Sequence, residues 1–275
     1  MLYTARHSRL FNRTHRLSTL LIVLLISACS TMTPPSDTSN PGADKPARLH
    51  ILLITGGGWH DYDAQTPLLV DGLNARIPDI EWTVWHRGEG QPDHTIDELR
   101  EPDWADDYDL VIHNTGFGRV DDSEYVSKLV AGQGGTPAVL LHSSIHSYRY
   151  AMPAAREWFA FTGAQSMWHE HEREFAIDLV APEHSIMQGF PAHWAPPLTD
   201  ELYVIEEVWG EIVPLAVAHG VETGMEHPVV WTHEPNGTRV FATTLGHNAA
   251  MFEQEVYLNM VANGVRWAVN DDRTQ

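Results

Sequence analysis

Three histidines stand where α/β proteins place their chemistry. His60, His142 and His247 each follow a short apolar run and precede a helix or a loop. The runs are RLHILLIT at 48–55, PAVLL at 137–141 and VFATTL at 240–245. In a doubly wound sheet the carboxyl ends of such strands converge on one crevice. Imidazoles gathered there can transfer protons near neutral pH. They can also hold a transition metal, with a carboxylate completing the shell. The expected catalytic set is His60, His142 and His247 with Glu201; the same three histidines are the expected metal ligands. The metal would be divalent: zinc, manganese or iron. No HExxH or comparably tight spacing is present, so acid–base chemistry without a metal stays open. His146 and His233 are further candidates for the same site.

Other chemistries are weaker. Gly56-Gly57-Gly58 follows the first run, but neither GK[ST] nor GxGxxG is present. The triplet therefore reads as a turn that brings backbone close to a ligand. His142-Ser143-Ser144 stands where a nucleophile elbow would, without the GxSxG glycines. The stretch MWHEHERE at 167–174 is dense in groups that ligate or titrate. It reads as a surface metal patch, a loop over the site, or solvated charge.

The positioning elements alternate. Residues 48–55 have the composition of a strand buried on both faces. Pro67 falls near the start of an apolar-periodic segment with Leu68, Leu69, Leu73 and Ile77, a helix pattern. EWTVWH at 81–86 suits an edge strand, and DLVIHN at 109–114 and PAVLL suit buried ones. Helices are expected over 123–130, ended by Gly132 to Gly135, and over 154–161. The expected fold class is α/β: a doubly wound, mainly parallel sheet with helices on both faces. The second half is strand-rich, at 175–180, 199 to about 208 and 212–217, which suggests an antiparallel portion. Pro235-Asn236-Gly237 joins 229–231 to 240–245 as a hairpin. A helix over 252–269 closes the chain.

The first residues read as targeting. Arg6, Arg9, Arg13 and Arg16 precede an apolar stretch, Leu20 to Ile26, too short to span a bilayer. Ile26-Ser27-Ala28-Cys29 resembles a bacterial lipobox, with Cys29 as the lipidated residue. The expected organisation is a lipoprotein signal peptide at 1–28, a flexible tether at 29–47 and a folded domain at 48–270. Ser30 after the cysteine favours a bacterial outer-membrane anchor facing the periplasm. Cys29 is the one cysteine, so no disulfide framework and no thiol nucleophile are available to the domain. Four of the 17 basic residues and no acidic ones lie in 1–28, which leaves 13 against 37, a balance of −24. So acidic a chain repels phosphate backbones, and nucleic acid is not an expected partner.

Several motifs together resemble the ThuA-like (trehalose utilisation) family. They are ILLITGGGWHDYD at 51–63, PAVLLHSSIHSYR at 137–149, TDELY at 199–203, HPVVWTHEPNGTRVFATTLGHN at 227–248 and NGVRWAV at 263–269. The resemblance implies a class I glutamine amidotransferase-like fold, of flavodoxin-like topology. A true amidotransferase carries cysteine at the elbow, where this chain has His142-Ser143-Ser144, so glutaminase activity is not expected. The resemblance also implies sugar metabolism, in particular disaccharides oxidised at C3 of a glucosyl unit. A 3-keto group acidifies the C2 proton, so a base there permits isomerisation, or elimination followed by hydration. Trp59 and Trp168 would stack on a sugar face, with Asp61, His146 and His233 as further substrate-binding residues. The other reading is a carbohydrate-binding or scaffolding lipoprotein without turnover. In both, the partners are a small sugar or glycoside and, through the lipid, the membrane.

Overall fold

The computed structural model describes residues 48–270. The expected signal peptide (1–28) and tether (29–47) lie outside the described residues. In chain order the elements are β1 (Leu49–Gly57), α1 (Tyr62–Asn74), β2 (Ile80–Arg87), β3 (Leu110–Gly116), α2 (Ser123–Gln133), β4 (Ala138–Leu141), α3 (Ala155–Thr162) and β5 (Ala164–Gln165). They continue with β6 (Ile177–Leu179), β7 (His193–Trp194), β8 (Glu207–Val208), β9 (Ile212–His219), β10 (Glu226–His233), β11 (Val240–Thr243) and α4 (Glu255–Ala268). Nine strands form one sheet in the order β2-β1-β3-β4-β11-β10-β9-β6-β7. The first five run parallel; the last four are joined antiparallel. The α/β class and the antiparallel portion expected from the sequence are both present.

Strand alternation splits the core into two layers. Ile51 and Leu53 of β1 face the layer that holds Leu69 and Leu73 of α1 with Val261 and Val265 of α4. Leu52 and Ile54 face the opposite layer, with Val126 and Leu129 of α2 and Trp158 of α3. Each such side chain contributes about 1.5–3 kcal/mol on burial, so β1, buried on both faces, is the strand that the sheet is assembled on. β2, beyond it, is half exposed along its length, as its alternating sequence implies.

Two expectations are corrected. α1 begins a turn before Pro67, because the Asp61 carboxylate accepts the Ala64 N–H at 3.0 Å and caps the helix. Residues 199–208 are not one strand. Isolated bridges join His169 to Tyr203 and Arg173 to Asp200, and only Glu207–Val208 is strand. The Glu201 N–H goes to the Asp200 side chain at 2.8 Å instead of to a ladder.

His113, on β3, gives the fold an acid sensitivity. Its Nε2 meets Gln133 Oε1 at 3.0 Å and its ring lies edge-on to Trp158. Burial lowers its pKa to about 4, against the Gln133 hydrogen bond. The unfolded chain therefore binds a proton near pH 6.5 that the folded chain refuses until about pH 4, and stability falls as pH falls through that window. The contribution is about 3 kcal/mol. Urea denaturation at pH 7 and at pH 4 should show a loss from which His113→Gln removes a share of that size; an unchanged slope would refute it.

Candidate metal centre

The parallel strands end side by side, Gly57 of β1 against Gly116 of β3 and Leu141 of β4 against Thr243 of β11. His60, His142 and His247 follow three of those ends. The Gly triplet permits this crossing: a Cβ on Gly57 would lie 2.6 Å from the Gly116 backbone, and the Gly58 N–H donates to the Gly116 oxygen at 3.0 Å. His142 stands at φ +44°, a left-handed conformation rare for a residue with a Cβ. That turn lifts its imidazole off the end of β4.

Hydrogen bonds fix each ring. His142 Nδ1–H donates to the Thr244 carbonyl at 2.6 Å. A carbonyl only accepts, so in the neutral ring Nε2 is left unprotonated, aimed at Glu201 Oε2, 3.4 Å away. The Tyr203 hydroxyl lies 3.3 Å from the same Nε2. His247 is carried on Leu245-Gly246-His247. Its N–H and that of Gly246 donate to the Asp200 carboxylate at 3.2 and 3.0 Å. Gln65 Nε2 donates to the carbonyls of both residues at 3.1 and 3.2 Å, and Asn114 holds the Gln65 oxygen at 3.1 Å. His247 Nδ1 lies 3.4 Å from Glu201 Oε1 without hydrogen-bond geometry, and its Nε2 faces Glu172 at 3.7 Å. The His60 ring stands nearly perpendicular to both of the others, at 80° to His142 and 88° to His247.

Among the described residues, His60, His142, Glu201 and His247 form one group whose ligand atoms all lie within 4.8 Å of one another. The donor set suits a divalent transition metal. Two observations fit a cation there. His60 Nδ1 and His247 Nδ1 are buried with no hydrogen-bond partner, and His142 Nε2 and the Glu201 carboxylate converge to 3.4 Å on the same point. Backbone and carboxylate groups behind the rings resemble an outer shell that orients metal ligands.

Electrostatics follow the packing. Burial lowers His60 to about 2, with His142 and His247 adding to it. The Glu201 carboxylate raises His247 against burial. Burial would raise Glu201, but His142 and His247 outweigh it and hold the carboxyl well below its usual range. Burial raises Asp200, against its three backbone N–H donors and His142.

The cluster opens on a cavity of about 340 Å³ whose wall includes Trp59, His60, Ser143, His146, His169 and Glu201. Of the expected substrate-binding residues, Trp59 and His146 line it; His146 stacks flat on Tyr203 at 3.6 Å. Asp61 is spent on capping α1. Trp168 is exposed and is not part of the wall. His233 is not brought to the site: it pairs with Val240, which pairs with Ala138, so it lies at the opposite edge of the sheet. Antiparallel β10 carries it there, where the Glu211 and Ala160 carbonyls hold its ring. Ser143 Oγ donates to the Thr115 carbonyl at 2.8 Å and meets the Tyr62 hydroxyl at 2.8 Å, with no histidine among its described partners. The 167–174 stretch divides by residue: His169 Nε2 lies 3.4 Å from Glu201, Glu172 faces His247, Glu170 is fully buried and His171 is turned outward.

Sequence reasoning assigned no role to Gln65, Asp200, Tyr203, Arg119 or Arg149. Gln65 had a signal, a polar residue in the buried stripe with Leu69, Gly72 and Leu73. Asp200 and Tyr203 flank Glu201 in a motif already singled out. Arg149 closes the PAVLLHSSIHSYR motif, whereas Arg119 had no signal.

These observations define a doubly wound α/β protein with a histidine–carboxylate cluster above its parallel strands. The ThuA family model, described as trehalose utilisation, matches residues 83–268, and the chain belongs to that family. A ThuA-like protein from Parabacteroides merdae ATCC 43184 is similar at TM-score 0.62 and 18% identity, over 83% of this chain and 92% of that one. Another from Bacteroides uniformis ATCC 8492 is similar at TM-score 0.60 and 14% identity, over 82% and 94%. The glutaminase domain of Trypanosoma brucei CTPS aligns at TM-score 0.49 and 10% identity, over 79% and 94%. No curated protein matches.

The backbone at position 142 generates its own test. A left-handed residue with a Cβ costs about 1 kcal/mol over glycine. His142→Gly should therefore be more stable than His142→Ala by about that amount in urea denaturation, although glycine is the more flexible residue in the unfolded chain. The reverse order would show that the turn is not strained.

Proposed function

We propose that this ThuA-family protein is a metal-assisted enzyme of carbohydrate metabolism that acts on an oxidised (3-keto) sugar or glycoside. The family description supports the sugar, and the single observation that carries the chemistry is the cluster itself. His142 Nε2 and Glu201 Oε2 face one another at 3.4 Å, beside two buried imidazole nitrogens without hydrogen-bond partners. His60, His142, Glu201 and His247 would hold the ion. A divalent ion supplies Lewis acidity that polarises a carbonyl and stabilises an enediolate.

The chain's own groups supply the proton transfer. His169 Nδ1–H donates to the Glu170 carbonyl at 2.8 Å, which leaves Nε2 of the neutral ring to accept a proton on the cavity side. As base it takes the C2 proton, and the C2–H electron pair enters the enediolate. Transfer of the O2 hydroxyl proton to O3, with return of the abstracted proton to C3, completes an isomerisation to the 2-keto sugar. Alternatively the enediolate pair forms C1=C2 as C3=O re-forms and the C1–O bond breaks, the abstracted proton goes to the departing oxygen, and water then adds across C1=C2. The Tyr203 hydroxyl, on the cavity wall, donates to the developing oxyanion.

Elemental analysis of the purified protein should find stoichiometric zinc, manganese or iron, lost in the His142→Ala/His247→Ala variant. His169→Ala should keep the metal and lose turnover of a 3-keto-glycoside by about 10²–10⁴-fold. A metal-free wild type sinks the metal. Metal without turnover of any 3-keto-glycoside leaves the carbohydrate-binding reading.

The proposal includes a lipid anchor on Cys29, supported by the Ile26-Ser27-Ala28-Cys29 sequence. Cys29→Ser should move the full chain from the membrane fraction to the soluble fraction after cell lysis. Equal membrane retention of both proteins would remove the anchor.

A further inference from the structure

The arginines of this chain are unevenly satisfied. Residues 48–270 hold eleven Lys and Arg side chains. Arg48, Arg76, Arg87, Arg100, Lys128 and Arg173 pair with carboxylates. Arg239 and Arg266 bond to backbone carbonyls and asparagines. Arg119, Arg149 and Arg156 bond to no other described residue through their side chains. All three line one or both of two adjoining cavities. Arg119 and Arg149 line the cavity beside His60 and Glu201. Arg149 and Arg156 line an adjoining cavity of about 610 Å³, which shares Arg149 and Tyr150 with the first.

Arg149 is the sharpest case. Its Nε is buried with no hydrogen-bond partner. A guanidinium N–H cut off from water and from every protein acceptor is costly to leave unmade, and a planar two-oxygen anion satisfies it in a bidentate fork. Its guanidinium rests over the Tyr150 ring at 5.3 Å, and that of Arg119 over Trp59 at 5.7 Å. Aromatic faces thus hold both cations at the wall without neutralising them. In the adjoining cavity the Trp209 Nε1–H is also buried without an acceptor. The chain carries a net charge of −20, which repels anions at long range. With so few cations to distribute, unpaired arginines gathered beside the cluster are informative.

We infer that the sugar this site takes is anionic, bearing a carboxylate or a phosphate that Arg149 binds with Arg119. This rests on the reading of the cavity as a sugar site and narrows its substrate class. The oxyanion sits where the two cavities meet, at Arg149, with the remainder of the ligand reaching His60 and Glu201.

Titration calorimetry of the full-length protein with D-glucose, D-glucuronate and D-glucose 6-phosphate tests this. At least one anionic sugar should bind about 10-fold or more tightly than glucose, less so as salt rises. The better of the two identifies the group as carboxylate or phosphate. Arg149→Ala should abolish the preference, Arg149→Lys should retain part of it, and Arg119→Ala should weaken it. Arg149→Lys and Arg119→Ala keep the test valid if Arg149→Ala does not fold. Equal affinity for all three sugars, no binding of either anion, or a preference that survives Arg119→Ala/Arg149→Ala would each overturn the inference. Metal content, measured in parallel, separates the two readings. An anion preference in a metal-free protein overturns only the metal; a metal-loaded protein indifferent to charge overturns only this.

Discussion

The Asp200 carboxylate sets the geometry above the sheet. It is 2% exposed, and an unpaired charge so placed would be untenable. Three backbone N–H groups offset part of that cost: Glu201 on one segment, and Gly246 and His247 on another. Because the donors belong to residues that carry the cluster, satisfying the charge and spacing the ligands are the same event. Gln65 does the corresponding work on the carbonyl side, gripping Gly246 and His247 from α1. Backbone held from both sides is pre-organised, which is what a site must be if binding is not to spend energy on ordering.

The sheet was legible because burial on two faces leaves near-continuous apolar runs, and β1, β3 and β4 carry them. The carboxyl ends of β1, β4 and β11 follow from chain direction alone, so His60, His142 and His247 could be grouped by position. Strand direction also explains the error at His233, which stands at the end of a strand like the others but on the antiparallel side of the sheet. The segment from 199 to 208 looked like a strand because Leu202, Tyr203, Val204 and Ile205 are apolar and buried. They are buried as a loop, whose local order comes from side chain–backbone bonds that periodicity does not register. The role of Arg119 and Arg149 was hidden for a further reason: an arginine in a sequence carries no sign of whether a partner awaits it.

The acidic stretch at 169–172 shows how one ambiguous motif serves several purposes. Glu170 is fully buried and accepts the N–H groups of Val221, Glu222 and Thr223. Burial would raise its carboxyl, yet Arg173 and those donors hold it down to about 2. The residue is an internal clamp. With it fixed, His169 and Glu172 are presented to the cluster and His171 is left to pair with Glu222 at the surface. Composition marked all four as chemically capable, and the fold assigned them to different tasks.

The turn that carries His142 behaves as a socket. Its left-handed backbone, at the first residue of a short 3₁₀ turn that directly follows β4, aims the side chain it bears at a point above the sheet. The Thr244 carbonyl accepts from its ring and the Thr115 carbonyl from the neighbouring Ser143 hydroxyl. A scaffold of this kind can exchange one reactive group for another without rebuilding a strand or a helix. The reaction would then be decided by one plugged-in residue and the groups around the rim, while the sheet beneath stays indifferent to which chemistry it supports.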